Sequence, residues 1–143
     1  MMWVLHSQGT FHSDPVALGR PRMSRFGAYT PKKSRDYQKS MLDAMDEVDA
    51  PLTGPVKLSI TFCHKRPQRL NRKSDTVARI PKTTKPDIDN LIKMVMDVLT
   101  KAEVWLDDNQ VVSVTAEDWY CSKAEEPHTQ WRIYTMTTTQ QSN

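Results

Sequence analysis

Apolar and polar residues alternate most regularly in the stretch PVKLSITFCHK, residues 55 to 65. In an extended chain every second residue faces the same side, so this period predicts a half-buried β-strand. Shorter patterns of the same kind predict three more strands. They cover WVLHSQGTF near the start, QVVSVTAEDWY from residue 110 and TQWRIYTM from residue 129.

A helical period replaces the alternation in LIKMVMDVLTKA, residues 91 to 102, where the apolar residues form one stripe. Asp89, Lys93 and Asp97 fall on the opposite, polar side. This pattern predicts a helix from residue 89 to residue 102. Pro86 disfavours helical backbone at the residue before it, so the entry turn is expected just after it.

A second helix is predicted over RDYQKSMLDAMDEV, residues 35 to 48. Tyr37, Met41 and Met45 recur at helical spacing, and Ser34 is the expected capping residue. Pro51 would end the segment, because proline interrupts regular helical hydrogen bonding.

Two basic segments have no apolar period and contain prolines, so both are predicted to be loops. The first covers residues 19 to 40. The second covers residues 64 to 85 and holds eight Lys/Arg and one acid, Asp75. Each is either a solvated surface loop or an arm that contacts phosphates. Long irregular segments in compact domains are more often functional or disordered than idle.

These elements predict one small α/β (α+β) domain over residues 1 to 136, followed by a disordered tail, TTTQQSN, over residues 137 to 143. The sheet would be mixed, with about four strands, and two main helices would pack on it. A chain of 143 residues is long enough for one hydrophobic core.

Simple features disfavour several classes of protein. No apolar run approaches the roughly 18 residues of a membrane span. The N-terminus lacks the basic start and apolar centre of a signal peptide. Cys63 and Cys121 are the two cysteines, no C-x-x-C spacing occurs and the four histidines are scattered, so no zinc site is predicted. The expectation is a cytoplasmic protein with two reduced core thiols.

The net charge of +3 conceals a division along the chain. Residues 1 to 86 contain 16 Lys/Arg and 7 Asp/Glu, whereas residues 87 to 143 contain 4 and 10. A basic half joined to an acidic half favours a polyanionic partner with a cation-holding site beside it. The alternative is that the charges only solvate the surface. Phe26 and Tyr29, inside the first basic segment, are the aromatic residues best placed to stack on opened bases.

Four aspartates flank the helix predicted over residues 89 to 102. Asp87 and Asp89 stand at its first turn, where negative charge is favoured by about 0.3 to 1 kcal/mol per group. Capping therefore explains this pair but not Asp107 and Asp108, which follow the helix. Carboxylates without thiol or imidazole partners suit a hard cation, Mg²⁺ or Mn²⁺. For one site to form, the chain would have to bring Asp108 back towards Asp89.

Lys93 lies one helical turn beyond Asp89 and has two interpretations. In the first interpretation, Lys93 forms an ion pair with Asp89 or Asp97, which contributes a few tenths of a kcal/mol. Alternatively, it stabilises negative charge that develops on a phosphate under attack.

The stretch KPDIDNLIKMVMDVLTKAEVWLDDNQV closely resembles the signature of the RusA family of Holliday junction resolvases. That signature is an Asp-x-Asp-Asn-Leu-x-x-Lys helix followed by an Asp-Asp-x-Gln-Val turn into a strand. The resemblance is strong over residues 85 to 112 and looser for GRPRMSRFG near the start. Glu103 departs from the pattern, because the family often has glycine in that turn.

The resemblance implies a homodimeric, Mg²⁺-dependent endodeoxyribonuclease that resolves four-way DNA junctions by paired symmetric nicks, in recombination and repair. Such proteins are frequently encoded by phages or prophages. It implies that Asp87, Asp89 and Asp108 are the metal-binding catalytic aspartates, that Lys93 is the essential lysine and that Asp107 is an accessory acid. The approximate two-fold symmetry of a junction separately favours a C₂ dimer. The candidate phosphate contacts are Arg20, Arg22, Arg25, Lys32, Lys33, Lys65, Arg66, Arg69, Arg72, Lys73 and Lys85.

Two other functions fit the same residues. One is a metal-dependent nuclease that acts on other branched DNA, such as flaps. The other is a non-enzymatic nucleic-acid-binding module whose acids only cap a helix, and it predicts no dependence on Mg²⁺.

Overall fold

The computed structural model describes residues 1–137, which form one mixed five-stranded sheet, a two-stranded hairpin and two helices. The strands are β1 Met2–Phe11, β2 Arg22–Ser24, β3 Gly27–Tyr29, β4 Val56–His64, β5 Ile80–Pro81, β6 Val111–Tyr120 and β7 His128–Thr137. The helices are α1 Lys32–Ala44 and α2 Ile88–Lys101, and short 3₁₀ turns cover Gln68–Leu70 and Asp108–Gln110. No helix among these residues is long and apolar enough to cross a membrane.

The main sheet has the strand order β1-β7-β4-β6-β5. β4 and β6 run parallel, and the other neighbours are antiparallel. Parallel neighbours need a crossover connection, and α2 lies in the segment that links β4 to β6. The prediction of a mixed α+β domain with four main strands and two helices is confirmed. β5 is a short fifth strand that the sequence pattern did not indicate.

The core lies between the two helices and one face of the sheet. The alternation in β4 is confirmed, since Leu58, Ile60 and Phe62 are almost completely buried. They pack in one cluster with the apolar stripe of α2 and with Tyr37 and Met41 of α1. Burial of each large apolar side chain contributes about 1.5–3 kcal/mol. The opposite face of the sheet carries polar side chains, with Thr61 beside Glu117 and Ser59 beside Arg132.

α1 differs from the predicted helix at both ends. It begins at Lys32 after Pro31, so Ser34 lies inside the helix and is not its cap. The Ser34 hydroxyl instead accepts a hydrogen bond from the Gly19 N–H at 2.9 Å and donates one to the Ala17 carbonyl at 3.2 Å. The helix ends at Ala44 rather than near residue 48. Ser34 therefore fixes the chain that leads into the first basic segment.

The two basic segments are more ordered than predicted. Residues 22–29 of the first form the β2–β3 hairpin. In the second, the buried Arg66 donates hydrogen bonds of 2.6–2.9 Å to four carbonyls, those of Cys121, Leu70, Thr76 and Ala78. Long-range contacts of this kind leave no period in the sequence.

The last strand, β7, extends one residue into the predicted tail. Thr137, where the tail was expected to begin, is the last residue of β7 and pairs with Met2. Residues 138–143, the rest of the predicted tail, lie outside the described residues. Cys63 and Cys121 are both buried free thiols, as predicted for core positions.

Candidate active site and nucleic-acid interface

The first turn of α2 presents two exposed carboxylates. Asp87 is the N-cap residue, and its carbonyl accepts hydrogen bonds from the N–H groups of Asn90 and Leu91 at 3.2 and 3.3 Å. Asp87 makes no side-chain capping bond. Asp89 follows within the first turn and is also exposed. Within residues 1–137, neither carboxylate takes part in a side-chain hydrogen bond or ion pair, so both are free to bind a ligand.

Lys93 is exposed on the next turn of α2. The ion pair considered for it is absent from the described residues, because Asp97 instead contacts Lys101 at 3.3 Å and accepts a hydrogen bond from the Gln38 amide. The Lys93 ammonium is therefore free to bind a ligand. It lies on the same face of α2 as Asp89, one turn further along the helix.

The second acidic pair forms a closed turn. An Asp107 carboxylate oxygen accepts the Asn109 N–H at 2.9 Å, and this bond holds the pKa of Asp107 below its ordinary value. The Gln110 side chain accepts the Asp107 N–H at 2.9 Å and donates to the Leu52 and Gly54 carbonyls. Hydrogen bonding with the Asp107 carboxyl raises the pKa of Asp108, and Asp97 adds to this shift by charge repulsion. Asp107 and Gln110 thus build the turn, while Asp108 stands exposed on it.

The two acidic pairs lie at opposite ends of α2. At 1.5 Å per residue, the 14-residue helix is about 21 Å long. Asp87 borders a shallow depression together with Ala116, Glu117 and Asp118 of β6. Asp108 lies in the 3₁₀ turn before β6, and the strand itself covers roughly 17 Å from its first residue, Val111, to Ala116. A site within one chain would require Asp108 to come back towards Asp89, and the two residues instead stand towards opposite ends of α2. β6 does run back along α2, but Asp108 stands where that return begins.

A basic groove ends next to the α2 start. It has a volume of about 670 Å³, and its lining runs from Gly19 past α1 to Pro86, the residue before Asp87. Six Lys/Arg line it against one acid, Asp14. The Asp14 carboxylate accepts the Lys65 N–H at 2.9 Å, which reduces its effect on an anion in the groove. The six basic residues are Arg20, Arg22, Lys33, Lys65, Lys82 and Lys85.

The groove thus brings together five of the predicted phosphate contacts. Of the others, Arg25 lies in the hairpin turn, and Lys32, Arg69 and Lys73 are exposed elsewhere. Arg72 pairs with Asp75 at 3.2 Å, and this guanidinium holds the pKa of Asp75 below its ordinary value. The prediction of a phosphate contact at Arg66 is not supported, because its guanidinium is buried and donates to four backbone carbonyls.

Lys82 and Tyr120 line the groove but were missed from the sequence. The Lys82 ammonium donates to the Thr84 carbonyl at 2.7 Å, and the hydroxyls of Tyr120 and Thr84 are 2.8 Å apart. The only signal for Lys82 was its place within a basic segment. Nothing in the sequence marked Tyr120, because its position depends on how β6 pairs with β5.

A second cluster of polar side chains lies at the end of the polar sheet face. Ligand atoms of Cys63, Glu125 and His128 all lie within 4.8 Å of one another. Arg79 donates to both oxygens of Glu125, which lowers the pKa of that carboxyl to about 2. Burial raises the pKa of the Cys63 thiol to about 12. We interpret this cluster as an ion pair packed over a buried thiol.

A basic groove that ends beside free carboxylates is typical of proteins that act on nucleic acids. The chain belongs to the RusA family: the sequence profile of endodeoxyribonuclease RusA matches residues 13–134. It is 29% identical over 135 residues to the uncharacterized protein YqaN of Bacillus subtilis (strain 168), covering 87% of this chain and 92% of YqaN.

Crossover junction endodeoxyribonuclease RusA of Escherichia coli (strain K12) is 37% identical over 95 residues. The protein of that name from Enterobacteria phage 82 is 38% identical over 95 residues. Both alignments cover 66% of this chain and 61% of the relative, so the chain spans less than two thirds of the length of these two relatives.

Proposed function

We propose that this protein is a divalent-metal-dependent endodeoxyribonuclease that resolves four-way DNA junctions by paired nicks. The observation that carries the proposal is the position of Asp87 and Asp89, whose free carboxylates come directly after Pro86, where the lining of the basic groove meets the start of α2. The names of the RusA relatives support the crossover junction as the substrate.

The donor set fits a hard cation. Asp87, Asp89 and Asp108 offer exposed carboxylate oxygens, which are the ligands that Mg²⁺ and Mn²⁺ prefer. When bound, such a metal polarises the phosphodiester and lowers the pKa of a coordinated water. Asp87 and Asp89 gain their orientation from the first turn of α2, and Asp107 and Gln110 fix the turn that presents Asp108.

The basic residues have separate tasks in this proposal. Arg20, Arg22, Lys33, Lys65 and Lys85 bind phosphates along the groove and lead one strand to the α2 start. Lys93 places a positive charge near Asp89, where negative charge develops on the phosphate during cleavage. Binding through the groove should be salt-dependent and largely independent of base sequence.

We also propose a homodimer, and the placement of the two acidic pairs towards opposite ends of α2 supports it. Since Asp87 caps the start of α2, Asp108 follows its end and the helix is about 21 Å long, we propose that the partner subunit's Asp108 completes each metal site. A C₂ dimer would build two such sites, related by the same axis as the two strands that are cut in a junction.

The first test is cleavage of a synthetic four-way junction, a linear duplex and a flap, with Mg²⁺ and with EDTA. We expect symmetric nicks in the junction alone, only with Mg²⁺. Asp89→Asn should abolish cutting but keep or improve junction binding, because it removes a negative charge near phosphate. Asp43→Asn, an exposed aspartate in α1, is the matched control and should cut normally.

Other outcomes would replace the proposal. Equal cutting of the flap would indicate a nuclease for branched DNA in general. Tight junction binding without cutting, unchanged by EDTA, would indicate a binding module whose aspartates hold no metal and only place negative charge at the start of α2.

The shared site has its own test, which mixes two inactive variants. In a heterodimer of Asp89→Asn with Asp108→Asn, one shared site loses both aspartates and the other keeps both. Mixing should therefore restore nicking of one strand. If each site lies within one chain, both sites stay damaged and the mixture stays inactive.

A further inference from the structure

The β2–β3 hairpin has a defined turn that presents one aromatic side chain. Ser24 pairs with Gly27, which leaves Arg25 and Phe26 as the two turn residues. The Ser24 hydroxyl accepts the Phe26 N–H at 3.2 Å and donates to the Gly27 carbonyl at 3.1 Å. Gly27 has a φ of +109°, a conformation that side chains rarely adopt. The turn is thus held by bonds that leave the Phe26 ring free.

Among residues 1–137, the Phe26 ring is packed against no part of the hydrophobic core. Its exposed fraction is 92%, and Met23 on the adjoining strand is 79% exposed. The guanidinium carbon of Arg25 lies 5.8 Å from the centre of the Phe26 ring. A single exposed apolar residue is ordinary on a protein surface. An aromatic ring at the tip of a projecting hairpin is better suited to insertion into a partner.

The charge around the hairpin indicates what that partner is. Residues 15–35 contain six Lys/Arg and no acid. Arg22 belongs both to the hairpin and to the lining of the basic groove, which ends at Pro86 beside Asp87. A ligand must therefore combine repeated negative charge with flat apolar faces and reach from the hairpin to the α2 start. A nucleic acid strand has both properties.

We propose that Phe26 stacks on the face of a base exposed at the branch point of the DNA, and that this contact lets the protein distinguish a junction from a continuous duplex. The inference rests on the proposed function and adds the element that selects the substrate. In a continuous duplex every internal base is covered by its neighbours, whereas a branch point has base faces that an aromatic ring can cover. Stacking of this kind tolerates any base, because every base has a π-face.

The roles of the two turn residues differ. Arg25 contacts phosphate, which is present in every DNA, so it contributes equally to junction and duplex binding. Phe26 contributes only where a base face is open. Substitution at the two positions should therefore separate general affinity from structural selectivity.

The experiment measures binding by fluorescence anisotropy in EDTA, where no cleavage occurs, for a four-way junction and a duplex of the same sequence. Phe26→Ala should weaken junction binding about 10-fold, within the range for loss of one stacked base, and change duplex binding less than two-fold. Phe26→Trp should preserve the preference for the junction, whereas Phe26→Leu should not. Met23→Ala, which removes a neighbouring exposed apolar side chain, is the matched control and should behave as wild type.

A second readout locates the contact. A junction with 2-aminopurine at the branch point should change its fluorescence on binding wild-type protein, and Phe26→Ala should remove most of that change. Arg25→Ala should weaken binding to both DNAs equally. It should also lower the slope of the logarithm of the binding constant against the logarithm of the salt concentration by about one, the value for one lost phosphate contact. The thermal midpoint of Phe26→Ala should match wild type, because the ring is exposed.

Several results would overturn the inference. Equal loss of junction and duplex binding in Phe26→Ala would make Phe26 a general contact. An unchanged preference for the junction in Phe26→Leu would remove the case for stacking. Binding of anionic phosphatidylserine vesicles that depends on Phe26, with junction binding unchanged, would assign the hairpin to a lipid surface. If wild-type protein cuts junctions and Phe26→Ala keeps the preference, only this inference fails. If wild-type protein cuts no junction, the proposed function fails.

Discussion

The imidazole Nε2 of His64 lies 2.7 Å from Oδ1 of Asp118, with both side chains more than 90% buried. The two residues stand near the ends of the parallel neighbours β4 and β6. Lys82, whose side chain is 5% exposed, places its ammonium 4.0 Å from the other Asp118 oxygen and donates to the Thr84 carbonyl. These contacts connect the end of the sheet to the turn that precedes Asp87.

Substitution of Asp118 by asparagine should destabilise the fold. Asp118→Asn removes the one carboxylate that faces both His64 and the buried Lys82 ammonium. Loss of one partner in a buried ion pair costs about 3 kcal/mol, because the other charge stays desolvated. Urea denaturation should record this loss in the free energy of unfolding. Glu117→Gln, at the exposed neighbour, should change it by less than about 0.5 kcal/mol, and equal losses in both variants would contradict the role of the buried pair.

Arg66 should be necessary for the order of residues 67–79. Arg66→Lys keeps the positive charge but cannot reach four carbonyls at once, so some stay buried without a donor. Each unsatisfied group costs about 1–3 kcal/mol, and we expect faster trypsin cleavage in this segment together with a lower free energy of unfolding. Arg69→Lys, at an exposed position, is the matched control. If both variants resist trypsin as wild type does, Arg66 does not organise the segment.

The features that the sequence predicted are those with a local cause. The alternation in β4 and the apolar stripe of α2 each arise because one face of the element packs on the core. The position of Asp87 and Asp89 at the first turn of α2 was predicted from the helical pattern and from Pro86. The missed features depend on partners far along the chain. β5 exists because Ile80 meets Tyr120, and the position of Arg66 depends on the Cys121 carbonyl.

The sequence named candidate residues for the site, but it did not predict how they are placed relative to one another. The pattern Asp-Asp-x-Gln marked Asp108 without revealing that Gln110 bonds to the carbonyls of Leu52 and Gly54. Those bonds fix the turn that leads into β6 and presents Asp108. The direction of β6 and the place of Asp108 relative to α2 were both left open by the sequence.

The ion pair of Arg79 and Glu125 should make stability depend on pH below neutrality. Arg79 holds the pKa of Glu125 at about 2, below its ordinary value of 4.5. A lowered pKa in the folded state means that the contribution is complete above pH 4.5 and is lost as pH falls towards 2. Because the pair is partly exposed, we expect Glu125→Gln to cost only about 1 kcal/mol at pH 7.

The measurement for Glu125 is the free energy of unfolding of wild type and Glu125→Gln at several pH values. The difference between the two proteins should shrink between pH 4.5 and pH 2. Glu126→Gln, the neighbouring glutamate, should show no such convergence. A difference that stays constant down to pH 2 would mean that the Glu125 charge contributes nothing to stability.

Glu103, where the RusA family often has glycine, occupies a strained position at the end of α2. Its φ is +59°, and the N–H groups of Glu103 and Val104 bond to the Thr100 and Leu99 carbonyls, as in a Schellman cap. Glu103→Gly relieves the left-handed strain and removes a negative charge from the helix C-terminus, although glycine gains entropy in the unfolded chain. We expect a net gain of about 1 kcal/mol in the free energy of unfolding, measured by urea denaturation. Glu103→Gln removes only the charge and should gain about half as much. An equal gain in both variants would show that the backbone conformation at this position carries no strain.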